Sequence, residues 1–132
     1  MRRQPPVRSE DGQAAAELAL VLPILMALIL AIAQFWIAFN NYLTVTDATR
    51  AGARKAAVSR FTGDAGASAV ALVKASAAGL NASELGVSVT STNWTVPGSE
   101  VTVTATYPYS INILGWTVKS GNLTSTTKER LE

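Results

Sequence analysis

The chain has 132 residues and a formal net charge of +2, and it contains neither cysteine nor histidine. This length holds one small domain, and the missing residue types exclude a disulfide framework, a thiolate metal site and histidine-based catalysis. Seven of the eleven basic residues are divided between the N-terminus and the segment from Arg50 to Arg60, and the other four are scattered, so no single face is basic enough to predict nucleic-acid binding.

A polar leader followed by an apolar run opens the chain. Residues 1–12 contain two prolines and disfavour helix, whereas residues 18–39 have Gln34 as their only strongly polar side chain. As a helix this run reaches about 33 Å, enough to cross a hydrocarbon layer of about 30 Å. We predict one membrane span, with the N-terminus cytoplasmic because a long trailing segment is exported largely regardless of its charge. Gln34 is either a lightly bonded polar residue near the outer leaflet or a determinant of helix register.

One long helix is predicted from residue 13 to about residue 60, because this stretch is rich in Ala, Leu and Ile and has one proline and one glycine. The proline, Pro23, removes a backbone donor and is expected to kink the helix. Beyond the span, Ala48, Gly52 and Ala56 recur at four-residue spacing and form a small-residue stripe. This stripe either packs against the chain's own sheet or forms a seam between subunits.

The C-terminal half is predicted to add a small antiparallel sheet. A second helix is expected over 68–78, closed by Gly79. The apolar period then changes to two, which predicts half-buried strands at 87–90, 101–107 and 123–127. Pro97-Gly98 suits the centre of a type II turn and predicts a hairpin of the first two strands. The expected fold class is α+β, with the long helix kinked at Pro23 and its second half packed on the sheet.

The connection between the second and third strands, YPYSINILGWTVKSG, is unusually apolar for a solvated loop. It must pack either in the local core or against a partner. The candidate partner patch consists of Ile111, Ile113, Leu114 and Trp116.

The stretch around Gly12 resembles the processing site of type IV pilin precursors. A short basic leader ends in glycine, and the apolar segment that follows has a glutamate, Glu17, at its fifth position when Gln13 is counted first. The sequence is most similar to the TadE-like pseudopilins of tight-adherence (Flp-type) pili. The matching signature positions are Gly12, Ala14, Ala15, Glu17, Ala19, Leu20 and Pro23, and the likeness continues through residues 47–60 and 101–109.

This resemblance implies cleavage between Gly12 and Gln13 by a membrane-embedded prepilin peptidase on the cytoplasmic side. It implies a division into a leader (1–12), a long helix (13–60) and an exported α+β domain (61–132). The expected role is that of a minor pilin or pseudopilin, in the cell membrane or incorporated in a surface pilus. The expected partners are the peptidase, other pilins or pseudopilins, the inner-membrane assembly platform with its ATPase, and membrane lipid.

Cleavage would create an ammonium on Gln13 for the Glu17 carboxylate to meet. Positions 13 and 17 share a helical face, so the pair forms within the chain or with a neighbouring subunit, where it would fix the register. The resemblance favours the neighbour. The plainer alternative is a first-turn carboxylate that complements the helix dipole.

A binding module and an enzyme are the alternatives to the pilin. One is an uncleaved, single-pass, membrane-anchored binding module at the cell surface; a secretory signal ending at Ala31-Ile32-Ala33 is a further interpretation of the N-terminus. An enzyme is not predicted, because Asp64, Glu84 and Glu100 have no histidine, cysteine or Gly-rich phosphate loop beside them. No catalytic residue, cofactor or metal site is therefore expected.

Overall fold

The computed structural model describes residues 9–132, so the first eight residues of the predicted leader lie outside it. Helix α1 is followed by a short 3₁₀ helix, a second helix α2 and three strands. Their bounds are α1 Ser9–Val58, the 3₁₀ helix Arg60–Thr62, α2 Ala65–Ser76, β1 Gly86–Ser91, β2 Glu100–Ile113 and β3 Trp116–Arg130. The predicted α+β class is confirmed.

Helix α1 ends within two residues of its predicted boundary but begins at Ser9, four residues before Gln13. The prolines that disfavour helix lie at positions 5 and 6, and within residues 9–12 Gly12 is the weakest helix former. The helix also runs through Pro23 without a break. A kink at that proline stays a prediction.

The second half of α1 packs against α2 and one face of the sheet through small side chains. Two adjoining clusters form the core, one of Val45, Ala48, Ala53, Val73, Ala77, Leu85, Val103 and Ala105, the other of Ala56, Ala57, Ala69, Val101 and Leu131. Gly52 marks the closest approach of the helices, because a Cβ there would overlap Val73 Cγ2 and lie 3.3 Å from the Ala69 carbonyl oxygen. The folded unit therefore includes the end of α1 as well as the residues after it.

The sheet is antiparallel in the order β1-β2-β3. The predicted turn between β1 and β2 is present: the Ser99 amide donates to the Val96 carbonyl at 3.2 Å, and Gly98 has a φ of 83°. A positive φ at the third turn position is what a type II turn requires and what glycine supplies.

The prediction that the apolar segment between β2 and β3 is a connection is wrong, because both strands continue through this segment. Strand β2 runs to Ile113 and β3 starts at Trp116, leaving a two-residue turn in which Leu114 and Gly115 have φ values of 50° and 86°. Two consecutive positive φ angles are typical of the type I′ turn, whose twist suits a hairpin. The apolar residues, apart from Leu114 in the turn, are therefore strand residues of a long hairpin.

Candidate functional site

The N-terminal candidate site lies on the first turns of α1. The Gln13 side-chain amide donates a hydrogen bond to Glu17 Oε1 at 3.1 Å, and both residues are exposed. They lie one turn apart, so they share a face of the helix. The carboxylate of the uncleaved chain thus accepts a hydrogen bond from a neutral amide.

Gly12 lies inside the helix, next to these two residues. A Cβ added to Gly12 would meet no atom within 4 Å, in contrast to Gly52. Gly12 is therefore not required for packing within the described chain, and its backbone is helical instead of the extended form expected for a scissile bond.

The apolar first half of α1 has no tertiary cover. Within residues 9–132, α1 is the one helix long and apolar enough to cross a membrane, and none of its apolar window is buried inside the fold. A core helix of a soluble protein would be mostly buried. The protein is therefore membrane-anchored through α1, and Pro23 lies exposed in this uncovered part.

The small-residue stripe lies in the second half of α1, beyond the uncovered apolar part. Ala48, Gly52 and Ala56 are all buried within the chain's own fold. Gln34 precedes Gly52 by 18 residues, about five helical turns, and so lies on the same side of α1. Its side chain is half-buried, and Gln34 lies one turn before Ala38, which lines a groove between α1 and the hairpin.

A second candidate site is the hairpin tip, which we define as residues 111–118. Ile111 and Ile113 are half-buried, whereas Leu114, Trp116 and Val118 are 67%, 80% and 64% exposed. The predicted partner patch thus divides into an inner pair and an outward-facing group. This patch is far from Glu17, because the patch lies beside the C-terminal end of the apolar run and Glu17 lies at its N-terminal end.

An apolar groove of about 410 Å³ joins the hairpin to α1. It is lined by Phe35, Ala38, Phe39 and Tyr42 from α1 and by Tyr109, Ile111, Lys119 and Leu123 from the hairpin. Tyr109, Lys119 and Leu123 were not singled out from the sequence. The available signal was the alternation of Tyr107, Tyr109, Ile111 and Ile113, which continues the buried face of β2 past Pro108.

Together these features define a single-span membrane protein with a small α+β fold built around the second half of its anchoring helix. Residues 12–54 match the model for the family described as TadE-like protein. The resemblance inferred from the sequence is confirmed over that segment, which begins at Gly12 and includes Glu17 and Pro23. The searches of curated proteins and of solved structures found no match.

The TadE-like match indicates the general class of function and not a specific role. The family is one of structural pilus components and not of enzymes, and it supports a pilus-associated, pilin-like protein. The match ends at Arg54, so it covers the span and part of the stripe but not α2 or the sheet. The likeness noted over residues 101–109 remains a resemblance.

Proposed function

We propose that this protein is a minor pilin or pseudopilin, processed between Gly12 and Gln13 and used to initiate or assemble a tight-adherence pilus or a related secretion pseudopilus. The observation that carries the proposal is the exposed Gln13–Glu17 pair at the start of an uncovered apolar helix, inside the TadE-like segment. The prepilin peptidase, other pilins and the inner-membrane platform with its ATPase are the proposed partners.

Processing would change the partner available to the Glu17 carboxylate. Before cleavage the carboxylate accepts from the Gln13 amide, which is neutral. After cleavage the Gln13 α-amino group becomes an ammonium, and attraction between opposite charges is far stronger in a weakly hydrated layer than in water. Because the Gln13 amide already reaches Glu17 within its own chain, we assign the ammonium of a neighbouring subunit as the charged partner.

The helical backbone at Gly12 adds a step to this scheme. A protease cleft binds extended chain, so the first turn of α1 has to unwind before the bond between Gly12 and Gln13 is cut. Glycine weakens a helix by about 1 kcal/mol relative to alanine, and it offers no side chain to obstruct the cleft. Gly12 therefore serves the peptidase twice, by easing the unwinding and by fitting the cleft.

The proposed topology follows from the same processing. The peptidase site would be cytoplasmic, residues 18–39 would span the membrane, and residues 61–132 would lie outside the cytoplasm with the end of α1. Gln34 would then lie toward the outer leaflet, on the side of α1 that faces the hairpin.

The alternative function is an uncleaved, membrane-anchored binding module. The exposed side chains of the hairpin tip favour it, because Leu114, Trp116 and Val118 offer an apolar surface for a ligand. The two functions differ in whether the leader is retained.

The N-terminal residue of the protein recovered from membranes tests the proposal. We expect intact mass and N-terminal sequencing to give a start at Gln13 in cells that contain the peptidase and at Met1 in cells that lack it. A Gly12→Leu variant should remain at precursor mass, whereas Ala67→Leu, which adds bulk at an exposed helical position of the exported part, should still be cleaved. Functional protein that begins at Met1 would refute processing, and a start at Gln34 would indicate a signal peptidase.

A further inference from the structure

The hairpin of β2 and β3 runs back along α1 toward the membrane. Val101 packs with Ala56 and Ala57 near the end of α1, and Val103 packs in the cluster that contains Val45 and Ala48. Further along β2, the groove at Ile111 is lined by α1 residues of the segment 35–42. Each step along β2 therefore meets an earlier part of α1, and the Leu114-Gly115 turn lies on the membrane side of the fold.

The level of the tip relative to the predicted span follows from these contacts. The span ends at about residue 39, which is within the α1 segment that lines the groove with Ile111 and Lys119. Two more strand residues, Asn112 and Ile113, separate Ile111 from the turn and extend about 7 Å at about 3.3 Å each. The turn thus lies level with the last turns of the predicted span, where α1 leaves the lipid.

The chemistry of the tip suits a poorly hydrated surface. Residues 101–118 carry no charge, and Lys119 is the first charged residue after the turn. The exposed apolar side chains Leu114, Trp116 and Val118 cluster at this end of the sheet. The polar side chains there bond to one another: Thr117 Oγ1 donates to Asn112 Oδ1 at 2.7 Å, and Asn112 Nδ2 donates to Ser110 Oγ at 3.3 Å.

We infer that the hairpin tip rests on the outer surface of the membrane that α1 spans, with Trp116 among the lipid headgroups. Tryptophan and tyrosine concentrate at this level of a bilayer, and the Lys119 stem can lie along apolar surface while its ammonium stays in water. The apolar side chains at consecutive positions 113 and 114 are not confined to one sheet face. This distribution suits lipid, which surrounds the tip, better than a one-sided protein groove.

The free strand edges limit the depth of this contact. β1 pairs with β2 only from Val101 to Thr106, and within the described residues no strand pairs with that edge of β2 beyond Thr106 or with the outer edge of β3. Unpaired backbone groups are costly in hydrocarbon because no water satisfies them. The edge of the hydrocarbon therefore lies at the level of the tip, within the last turns of the predicted span, and the tip stays in the headgroup layer.

Contact at two places would fix the tilt of the folded part on the bilayer. The helix supplies one attachment and the hairpin tip the other, so the sheet would lie beside the second half of α1 with the β2–β3 hairpin directed at the bilayer. This inference rests on the membrane-spanning role of α1 and does not depend on cleavage or on pilus assembly.

Depth-dependent fluorescence quenching of the full chain in vesicles tests the inference. The vesicles would contain phosphatidylethanolamine and phosphatidylglycerol with acyl chains brominated near the headgroup or near the chain end. Single-tryptophan variants are made by replacing two of Trp36, Trp94 and Trp116 with phenylalanine. Trp36 lies in the span and serves as the lipid-exposed standard, whereas Trp94 packs with the cluster at the far end of the sheet and serves as the matched control.

We expect Trp116 to lose most of its emission with bromine near the headgroup, to lose little with bromine at the chain end, and to be shielded from aqueous iodide. Trp94 should respond to neither lipid. Trp116 that is open to iodide and insensitive to brominated lipid would overturn the inference. Protection that disappears on dilution of protein in lipid would overturn it as well, since it would assign the tip to a second copy.

Discussion

The two halves of α1 both carry apolar side chains but have opposite surroundings. Between Leu18 and Phe39 the large apolar side chains are exposed, whereas Val45, Ala48 and Ala56 are buried against the sheet and α2. The change occurs near Tyr42, within one unbroken helix. One helix is thus surrounded by lipid in its first half and packed against the protein's own sheet in its second half.

The difference between the halves lies in the size and placement of their side chains. The first half is apolar on every side and carries large residues, as a helix surrounded by lipid requires. The second half presents alanine and glycine on the buried side and Arg50, Arg54 and Lys55 on the exposed side. Small residues allow the close approach that buries backbone and Cβ atoms in a core this small.

The largest expected effect comes from placing a carboxylate in each half. Val45→Asp buries an unpaired charge in the core, at a cost of several kcal/mol, and a small fold has only about 5–15 kcal/mol in total. We expect loss of cooperative unfolding with membrane association retained. Leu28→Asp, at the centre of the predicted span, should spare the fold and weaken insertion, since Leu28 is exposed and Asp costs about 2.5–3.5 kcal/mol at the centre of a span.

Near-ultraviolet circular dichroism in detergent measures the fold, and extraction of membranes with alkaline carbonate measures insertion. If both variants lost the fold, or both lost insertion, folding and membrane insertion would not be separate functions of the two halves.

The next largest effect concerns assembly and the charge of Glu17. Glu17→Gln keeps the volume and the acceptor of the Gln13 amide but removes the charge, so processing and insertion should persist while pili are lost. Glu84→Gln is the matched control, because this exposed carboxylate accepts from Asn81 at 3.1 Å in the exported part. Pilus counts by electron microscopy measure the outcome. Normal piliation of the Glu17 variant would rule out the intersubunit pairing.

Much of the fold could be predicted from periodicity and from turn chemistry. The span, the stripe, α2 and the β1–β2 hairpin each had a local signal, such as Pro97-Gly98 at its turn. The local sequence signal for the extension of the β2–β3 hairpin was weaker. Proline disfavours a central strand and leucine is uncommon at a positive φ, yet Pro108 is tolerated because it lies past Thr106, the last β2 residue that β1 pairs.

The candidate sites were predictable to different degrees. The shared face of Gln13 and Glu17 follows from helical spacing, and the structure gives it a hydrogen bond. The groove between Phe39 and Ile111 was not predictable, because it joins residues about 70 positions apart and depends on the register of β2 along α1. The helical start at Ser9 was also missed, since the leader's prolines lie further upstream.

A smaller effect is expected from adding one methyl group to a glycine in each half of α1. Gly52→Ala would press on Val73 and on the Ala69 carbonyl, and overpacking of this kind costs about 1–3 kcal/mol. Gly12→Ala meets no atom within 4 Å and should leave the fold unchanged, or strengthen the helix by up to about 1 kcal/mol. Urea unfolding of the full chain in detergent, followed by Trp94 fluorescence, gives both values. Equal stability of the two variants would mean that α1 and α2 are further apart than described.

The smallest effect is expected from the ion pair at the base of the hairpin. Lys128 Nζ lies 2.7 Å from Glu100 Oε1, but the two side chains are 61% and 50% exposed, and pairs of this kind contribute at most about 1 kcal/mol. Lys128→Met should therefore lower the urea midpoint slightly, and the difference should vanish in concentrated salt. Arg50→Met is the control, because its contact with Asp47 is longer, at 3.7 Å. A loss of several kcal/mol for Lys128→Met would mean that charge, and not packing on the second half of α1, holds the hairpin in place.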